Sequence, residues 1–366
     1  MNVTWVPSKT KSLSVSLRHC FNVFLCDPRD RIDHDSLQFN FNKELIALAK
    51  IDELSLDWQR NEFMGLNVAN ERAAHQMLDS PKILEDPLAL RIIGAEAESR
   101  LRFRLAQFQT PAERACRAGV TVRNRYAEDE LARSIQKGVR QYVILGAGLD
   151  TFAYRNPFPS LRVFEVDHPA TQAWKRSCLK KAAIPIPASV TYAALDLEQQ
   201  VLTDALRQSG FNSAELTFVS FLGVVRYLSR EAVISVLTSI VSSMPAGSEV
   251  VFDFGPPPSL LQVFRGRARP GRTEMLFEFC SRSSLPQRLR ELAYRTIVNW
   301  TFKNNDFRPT YFDIKSFTRD LKRIGFADVQ HFGSKELNVR YCKDRTDGLR
   351  IRSESGFRMH LVKARV

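Results

Sequence analysis

The stretch YVILGAGLDTFAYR, residues 142–155, carries the residue types and spacing most suited to chemistry. An apolar run ends in Gly146-Ala147-Gly148, an acid follows at Asp150, and a helix-forming segment comes next. A glycine at a strand end leaves room for a ligand to approach the backbone, and a second glycine permits the turn itself. Such turns hold nucleotides against the start of the following helix. The third glycine of a dinucleotide fingerprint is missing, its place taken by Thr151. Asp150 is placed to cap the helix, and a carboxylate there repels a pyrophosphate. It is harmless beside a ligand without phosphates. S-adenosylmethionine, with its adenosine, sulfonium and amino-acid end, is such a ligand.

Two further acids fit the same site. Asp167 ends the segment VFEVD, 21 residues beyond Gly146, with Glu165 two residues earlier on the same strand face. A carboxylate at that strand end can accept hydrogen bonds from ribose hydroxyls. Asp196-Leu197, after a third apolar segment, is placed to meet an adenine, the acid accepting from its exocyclic amine and the leucine covering the ring. Read alone, Asp196 is equally a turn residue or a helix cap, and Asp167 an ordinary strand terminus. Their order along the chain is what gives them meaning together.

The elements needed to position these residues are legible around them. QYVILG, LRVFEVD, SVTYAALD, ELTFVSFLGV and AGSEVVFDFG read as buried strands. Between them, HPATQAWKRSCLKKA reads as a helix with Pro169 in its first turn, LEQQVLTDALRQSG as a helix stopped by glycine, and SREAVISVLTSIVSSM as a helix capped by Ser229. This alternation predicts βαβ units, hence an α/β fold with a mostly parallel sheet and helices on both faces. Upstream, NVANERAAHQMLDSPKILEDPLALRIIG predicts two helices split at Ser80-Pro81, and VRNRYAEDELARSIQKG a helix ending at Gly138. Residues 64–138 therefore form a helical cap. Residues 256–310, rich in proline and arginine, break the rhythm and predict an insertion. FDIKSFTRDLKRIGFADVQHFG returns to helix and strand, and GFRMHLVKARV supplies a last strand.

Composition narrows the class. The chain has 366 residues, 44% of them hydrophobic and 25% charged, as expected of a globular protein. The six cysteines and six histidines show no metal-ligand spacing, so no metal is expected and the thiols read as reduced ones in a cytoplasm. No apolar run has the length of a membrane span, about eighteen residues or more. The net charge is +13, and because residues 1–63 hold eight Lys/Arg against nine Asp/Glu, the excess lies in the remainder. A basic surface of this kind suits an anionic substrate or nucleic acid, although a solvated basic face is its commoner meaning.

QYVILGAGLDTFAYR, VFEVDHP, ALDL and the late ELNVRYCKDRTDGLR together resemble the bacterial S-adenosylmethionine-dependent methyltransferases of the leucine carboxyl methyltransferase-like family. The resemblance runs from about Met64 to the C-terminus and implies a class I methyltransferase fold, Rossmann-like, with seven strands and an antiparallel last one. It implies S-adenosylmethionine as cofactor, with Gly146 and Gly148 at the turn, Asp167 on the ribose, and Asp196 and Leu197 at the adenine. It also implies an arginine, on the helix before the first strand, for the methionine carboxylate. VRNRYAEDEL offers Arg123 and Arg125, and the sequence does not choose between them. In one departure, Leu222 stands where leucine carboxyl members carry a glutamate before Gly223. In another, residues 1–63 match nothing in the family, so they are expected to be an extension and Met64 the translation start. An N-terminal peptide from that region in the native protein, found by mass spectrometry, would contradict this.

The expected reaction is in-line displacement at the sulfonium methyl; if the acceptor is a carboxylate, it is ionised at neutral pH and needs no general base. Arg226, Arg340, Arg345 and Arg350 are candidates to orient an anionic acceptor, and Tyr227 and Tyr341 candidates to line its pocket; none is assigned a catalytic role. Two rival readings exist. An NAD-dependent oxidoreductase would share the sheet but want the third glycine. A non-catalytic basic RNA-binding module would show steep salt dependence.

Overall fold

The computed structural model describes residues 53–255, 310–352 and 359–366. The expected insertion therefore lies, but for Thr310, outside the described residues, as does most of the expected N-terminal extension. The cap opens with α1 (Glu53–Leu78), within which Met64 lies, followed by α2 (Ala89–Ile93), α3 (Ala95–Phe103) and the long α4 (Pro111–Gln136). The core then alternates β1 (Gln141–Leu145), α5 (Phe152–Arg155), β2 (Arg162–Asp167), α6 (Pro169–Lys181), β3 (Val190–Ala194), α7 (Leu202–Gln208), β4 (Thr217–Phe221), α8 (Arg230–Ser243) and β5 (Glu249–Phe254). It closes with α9 (Ile314–Ile324), β6 (Asp328–Phe332), α10 (Ser334–Tyr341) and β7 (His360–Arg365).

The sheet has seven strands in the order β3-β2-β1-β4-β5-β7-β6. The first five strands run parallel, and β7 lies antiparallel to both β5 and β6, with Glu249 opposite Arg365 and Phe254 opposite His360. This is the expected class I methyltransferase arrangement. Its switch point falls between β1 and β4, which leave the sheet in opposite directions, so a crevice opens at their carboxyl ends.

Period-2 alternation places the core on both faces. Val143 and Leu145 of β1 pack with Val219 and Phe221 of β4 and with Val233, Val236, Leu237 and Ile240 of α8. Tyr142 and Ile144, facing the other way, join Val122, Tyr126 and Leu131 of α4. A third cluster holds the cap: Ala69, Ala73 and Ala74, one face of α1, pack with Ile92, Ile93 and Leu101 and with Leu149 of the glycine loop.

Three local details differ from the sequence reading. The helix before β1 starts at Pro111, eleven residues ahead of the expected VRNRY segment, where Thr110 Oγ1 accepts the Glu113 N–H (3.3 Å). The Thr-Pro-Ala-Glu run is a capping signal in its own right, with proline at the first helical position. Thr151, rather than Asp150, occupies the cap position of α5. Asp150 still serves that helix, since its Oδ1 accepts the Phe152 N–H at 2.7 Å. The helix expected from Leu197 begins at Leu202, after a turn.

Candidate functional site

The site is built where β1 and β4 end. Gly146 has φ +63°, and its N–H donates to the Val166 carbonyl (2.8 Å), closing the turn against β2. A Cβ on Gly146 would sit 2.3 Å from Val224 Cγ2, and one on Gly223 (φ +73°) 2.4 Å from Arg123 Nη2. Neither strand end has room for a side chain, and both backbones adopt a conformation that L-residues avoid.

Asp167, at the end of β2, is tied to this turn. Its Oδ2 accepts the Gly148 N–H (2.6 Å) and its Oδ1 the His168 N–H (2.7 Å). Burial raises its pKa, and these two backbone bonds pull it part of the way back. Each oxygen keeps a second acceptor position. Glu165, its neighbour on the strand, is not available in the same way: it is buried, paired with Lys175 Nζ (2.8 Å) and bonded by the Tyr154 hydroxyl (2.9 Å).

The two candidate arginines part company on α4. Arg123 is 4% exposed, lies against Gly223, and donates through Nη1 to Asp253 Oδ2 (3.2 Å). Its Nε is buried and has no hydrogen-bond partner among the described residues. Arg125, two residues on and so on another side of the helix, has a side chain 43% exposed and pairs with Asp129 (2.8 Å). Asp253, which the sequence reading missed, holds Arg123 with one oxygen and accepts the Gly223 N–H (2.5 Å) with the other. Its signal was an acid near the end of the otherwise apolar VVFDFG, parallel to Asp167 in VFEVD. Leu222, standing where the family resemblance implies glutamate, packs half-buried beside the core of the α4 face.

Asp196 accepts the Glu198 N–H through Oδ1 (2.9 Å), a turn-capping bond, and Leu197 is buried in the core shared with α7 and α8. The basic acceptor candidates also separate. Arg345 grips Asp347 with two nitrogens and donates to the Pro81 carbonyl (2.5 Å), so its fork is already committed to structure. Arg340 binds Glu130 and lies over the Tyr126 ring (4.9 Å), and the Tyr341 hydroxyl donates to Asp129 (2.8 Å). Arg350 is exposed. Arg226, in the turn after Gly223, lies over the ring of its neighbour Tyr227 (5.8 Å) and has a buried Nε without a hydrogen-bond partner among the described residues.

The glycine cradles and the unpartnered guanidinium nitrogen fit an amino-acid-bearing nucleoside. The family model of leucine carboxyl methyltransferase matches residues 65–241. A Mycobacteroides abscessus protein, provisionally named an S-adenosyl-L-methionine-dependent methyltransferase, is 31% identical over 215 residues, which cover 55% of this chain and 67% of the relative. The chain belongs to this methyltransferase family. Its cofactor is S-adenosylmethionine. The Bacillus subtilis protein YktD, with the same provisional name, is 32% identical over 61% of this chain and 66% of its own length. A second Mycobacteroides abscessus relative is 32% identical over 55% of this chain and 66% of its own length. The chain thus spans just under two thirds of the length of these last two relatives. Among the described residues, no helix is long and apolar enough to cross a membrane.

Proposed function

We propose that this chain transfers a methyl group from S-adenosylmethionine to an oxygen of an anionic acceptor, a carboxylate on a small molecule or peptide. The observation that carries the reading is Arg123, buried beside Gly223 with Nε unpartnered, on the far side of the glycine turn from Asp167. In this reading Arg123 takes the methionine carboxylate, Gly146 and Gly148 leave space for the amino-acid end, and Asp167 accepts from the ribose. Asp196 and Leu197 border the adenine. The charge partner of Arg125 and its exposure favour Arg123 for the carboxylate.

The cofactor supplies an electrophilic methyl on a sulfonium; the chain supplies position. Asp253 and Gly223 hold the Arg123 fork in place before any ligand arrives, so little ordering remains to be done on binding. Arg226, with donor capacity left, is the basic residue best suited to face an anionic acceptor. A carboxylate acceptor is ionised at neutral pH, so no residue need take its proton.

Incubating the full chain with radiolabelled S-adenosylmethionine and a panel of small carboxylates and peptides tests this. A carboxyl methyl ester releases volatile methanol in mild alkali, and that is the product expected. Alkali-stable label on a hydroxyl or amine would overturn the carboxylate assignment while leaving methyl transfer intact.

A further inference from the structure

The glycine loop is also held from outside the sheet. Arg72, on α1 and almost fully buried, donates through Nη2 to the Leu149 carbonyl (2.5 Å), across 77 residues of sequence. Its Nε donates to Asp86 Oδ2 (3.1 Å), and the other oxygen of that fully buried carboxylate lies 3.5 Å from Arg155 Nε. Arg155, at the end of α5, grips Glu128 of α4 with its remaining nitrogens. The Leu149–Asp150 peptide is thereby pinned on both edges: Arg72 holds its carbonyl, and its N–H donates to the Ala147 carbonyl (2.7 Å). The Leu149 side chain is buried against the cap. The Gly148 N–H that reaches Asp167 belongs to the Ala147–Gly148 peptide, whose carbonyl is the one that accepts the Asp150 N–H.

We propose that Arg72, anchored by Asp86, is a positioning residue for the cofactor loop: it fixes the Leu149–Asp150 peptide plane and so aims the Gly148 N–H at Asp167. This rests on the reading above that Asp167 and the glycine turn hold the cofactor. A guanidinium suits the task because its planar fork serves a carboxylate and a carbonyl at once, which one ammonium cannot do at the same geometry. Groups that bind a ligand keep their aim only when a supporting layer holds them.

A second buried network in the cap provides the control. The Asp79 carboxylate receives Arg117 Nε and Nη2 (2.7 and 2.9 Å) and lies 2.7 Å from His75 Nδ1. His75 Nε2 accepts the Ile83 and Leu84 N–H groups (3.0 and 3.2 Å), so Nδ1 carries the proton and donates to Asp79. None of these bonds reaches the glycine loop.

The test measures, on the full chain, calorimetric affinity for S-adenosylhomocysteine and, without ligand, amide hydrogen exchange over residues 142–155. Arg72→Met is expected to weaken binding at least tenfold and to speed exchange at Gly148 and Asp150, with Arg72→Lys recovering part of both. Asp79→Asn is expected to lower Tm while leaving Kd within twofold and loop exchange unchanged. Should Arg72→Met not fold, Arg72→Lys and Asp86→Asn carry the same comparison. Unchanged affinity and exchange in the Arg72 variants would overturn the proposal, as would a loss in Asp79→Asn proportional to its loss of Tm. A wild-type chain that fails to bind S-adenosylhomocysteine would instead defeat the cofactor reading, and the exchange measurement would still judge the clamp.

Discussion

The two halves of helix α4 face two kinds of buried charge. Its carboxyl half meets a matched set: Glu130 receives Arg340, Arg133 and Lys363, and Glu249 receives Lys363 (3.0 Å) and the Ser134 hydroxyl. Its amino half carries one matched pair, Arg117 with Asp79. It also borders groups with bonding capacity left: Glu71, 8% exposed with Oε2 unpartnered among the described residues, and Arg123, whose Nε is unpartnered among them although Nη1 binds Asp253. The matched set ties α4 to β5, β7 and α10 and holds the end of the sheet together. Of the unmatched groups, Arg123 lies against Gly223 at the candidate site, where a ligand would complete it. Residual bonding capacity, more than burial or charge, separates a place for binding from a place for structure.

The two glutamates respond to pH in opposite senses. Burial, reinforced by the neighbouring Glu113, pushes Glu71 up to about 8 despite the opposing field of Arg117, so it is neutral at physiological pH. Its folded value exceeds the unfolded one, so its contribution to stability is full in acid and is lost as pH climbs towards 8. Burial also raises Glu249, but the Ser134 and Lys363 bonds outweigh it and hold the carboxyl below its ordinary value. That contribution is present at neutral pH and is lost as pH falls through the folded value.

The largest expected effect is therefore on the pH profile of stability. Denaturant melts between pH 5 and 9 should show the wild type losing stability with rising pH, at no more than about 1.4 kcal/mol per unit for a single proton. Glu71→Gln should flatten that limb; an unaltered slope would place the proton elsewhere. Next, Glu130→Ala removes the carboxylate that Arg340 and Lys363 share, leaving Lys363 to Glu249 alone, and should cost about 2 kcal/mol at neutral pH without altering cofactor affinity. Altered affinity with unchanged stability would reverse the comparison.

Gly146→Ala should act on the other half, through the contact with Val224 and the positive φ. A tenfold or greater loss of S-adenosylmethionine affinity, about 1.4 kcal/mol, is expected by calorimetry. The smallest effect belongs to Arg125→Ala, which removes a largely exposed i,i+4 pair and should shift stability by about 0.5 kcal/mol or less and leave Kd unchanged. A marked loss of affinity there would return the methionine carboxylate to Arg125.

What the sequence made legible was local. Strand, glycine turn and strand-end acid follow one another within a βαβ unit, so QYVILGAGLD and VFEVD announced both the fold and the place of Asp167. The cap of α4 was equally local, and the Thr110-to-Glu113 signal was there to be read. The rest depends on partners that only tertiary structure selects. Arg123 and Arg125 are alike in sequence and are distinguished by Asp253, 130 residues beyond Arg123. Arg72 reaches Leu149 across 77 residues, and Arg345 is withdrawn from candidacy by Asp347 and the Pro81 carbonyl.

The central claim is that the unmatched half of the site takes S-adenosylmethionine, and calorimetric titration of the full chain addresses it directly. S-adenosylmethionine and S-adenosylhomocysteine should each bind one to one, NAD should not bind, and Asp167→Asn should abolish or greatly weaken binding of the first two. Binding of NAD alone, or S-adenosylmethionine affinity untouched in Asp167→Asn, would contradict the account.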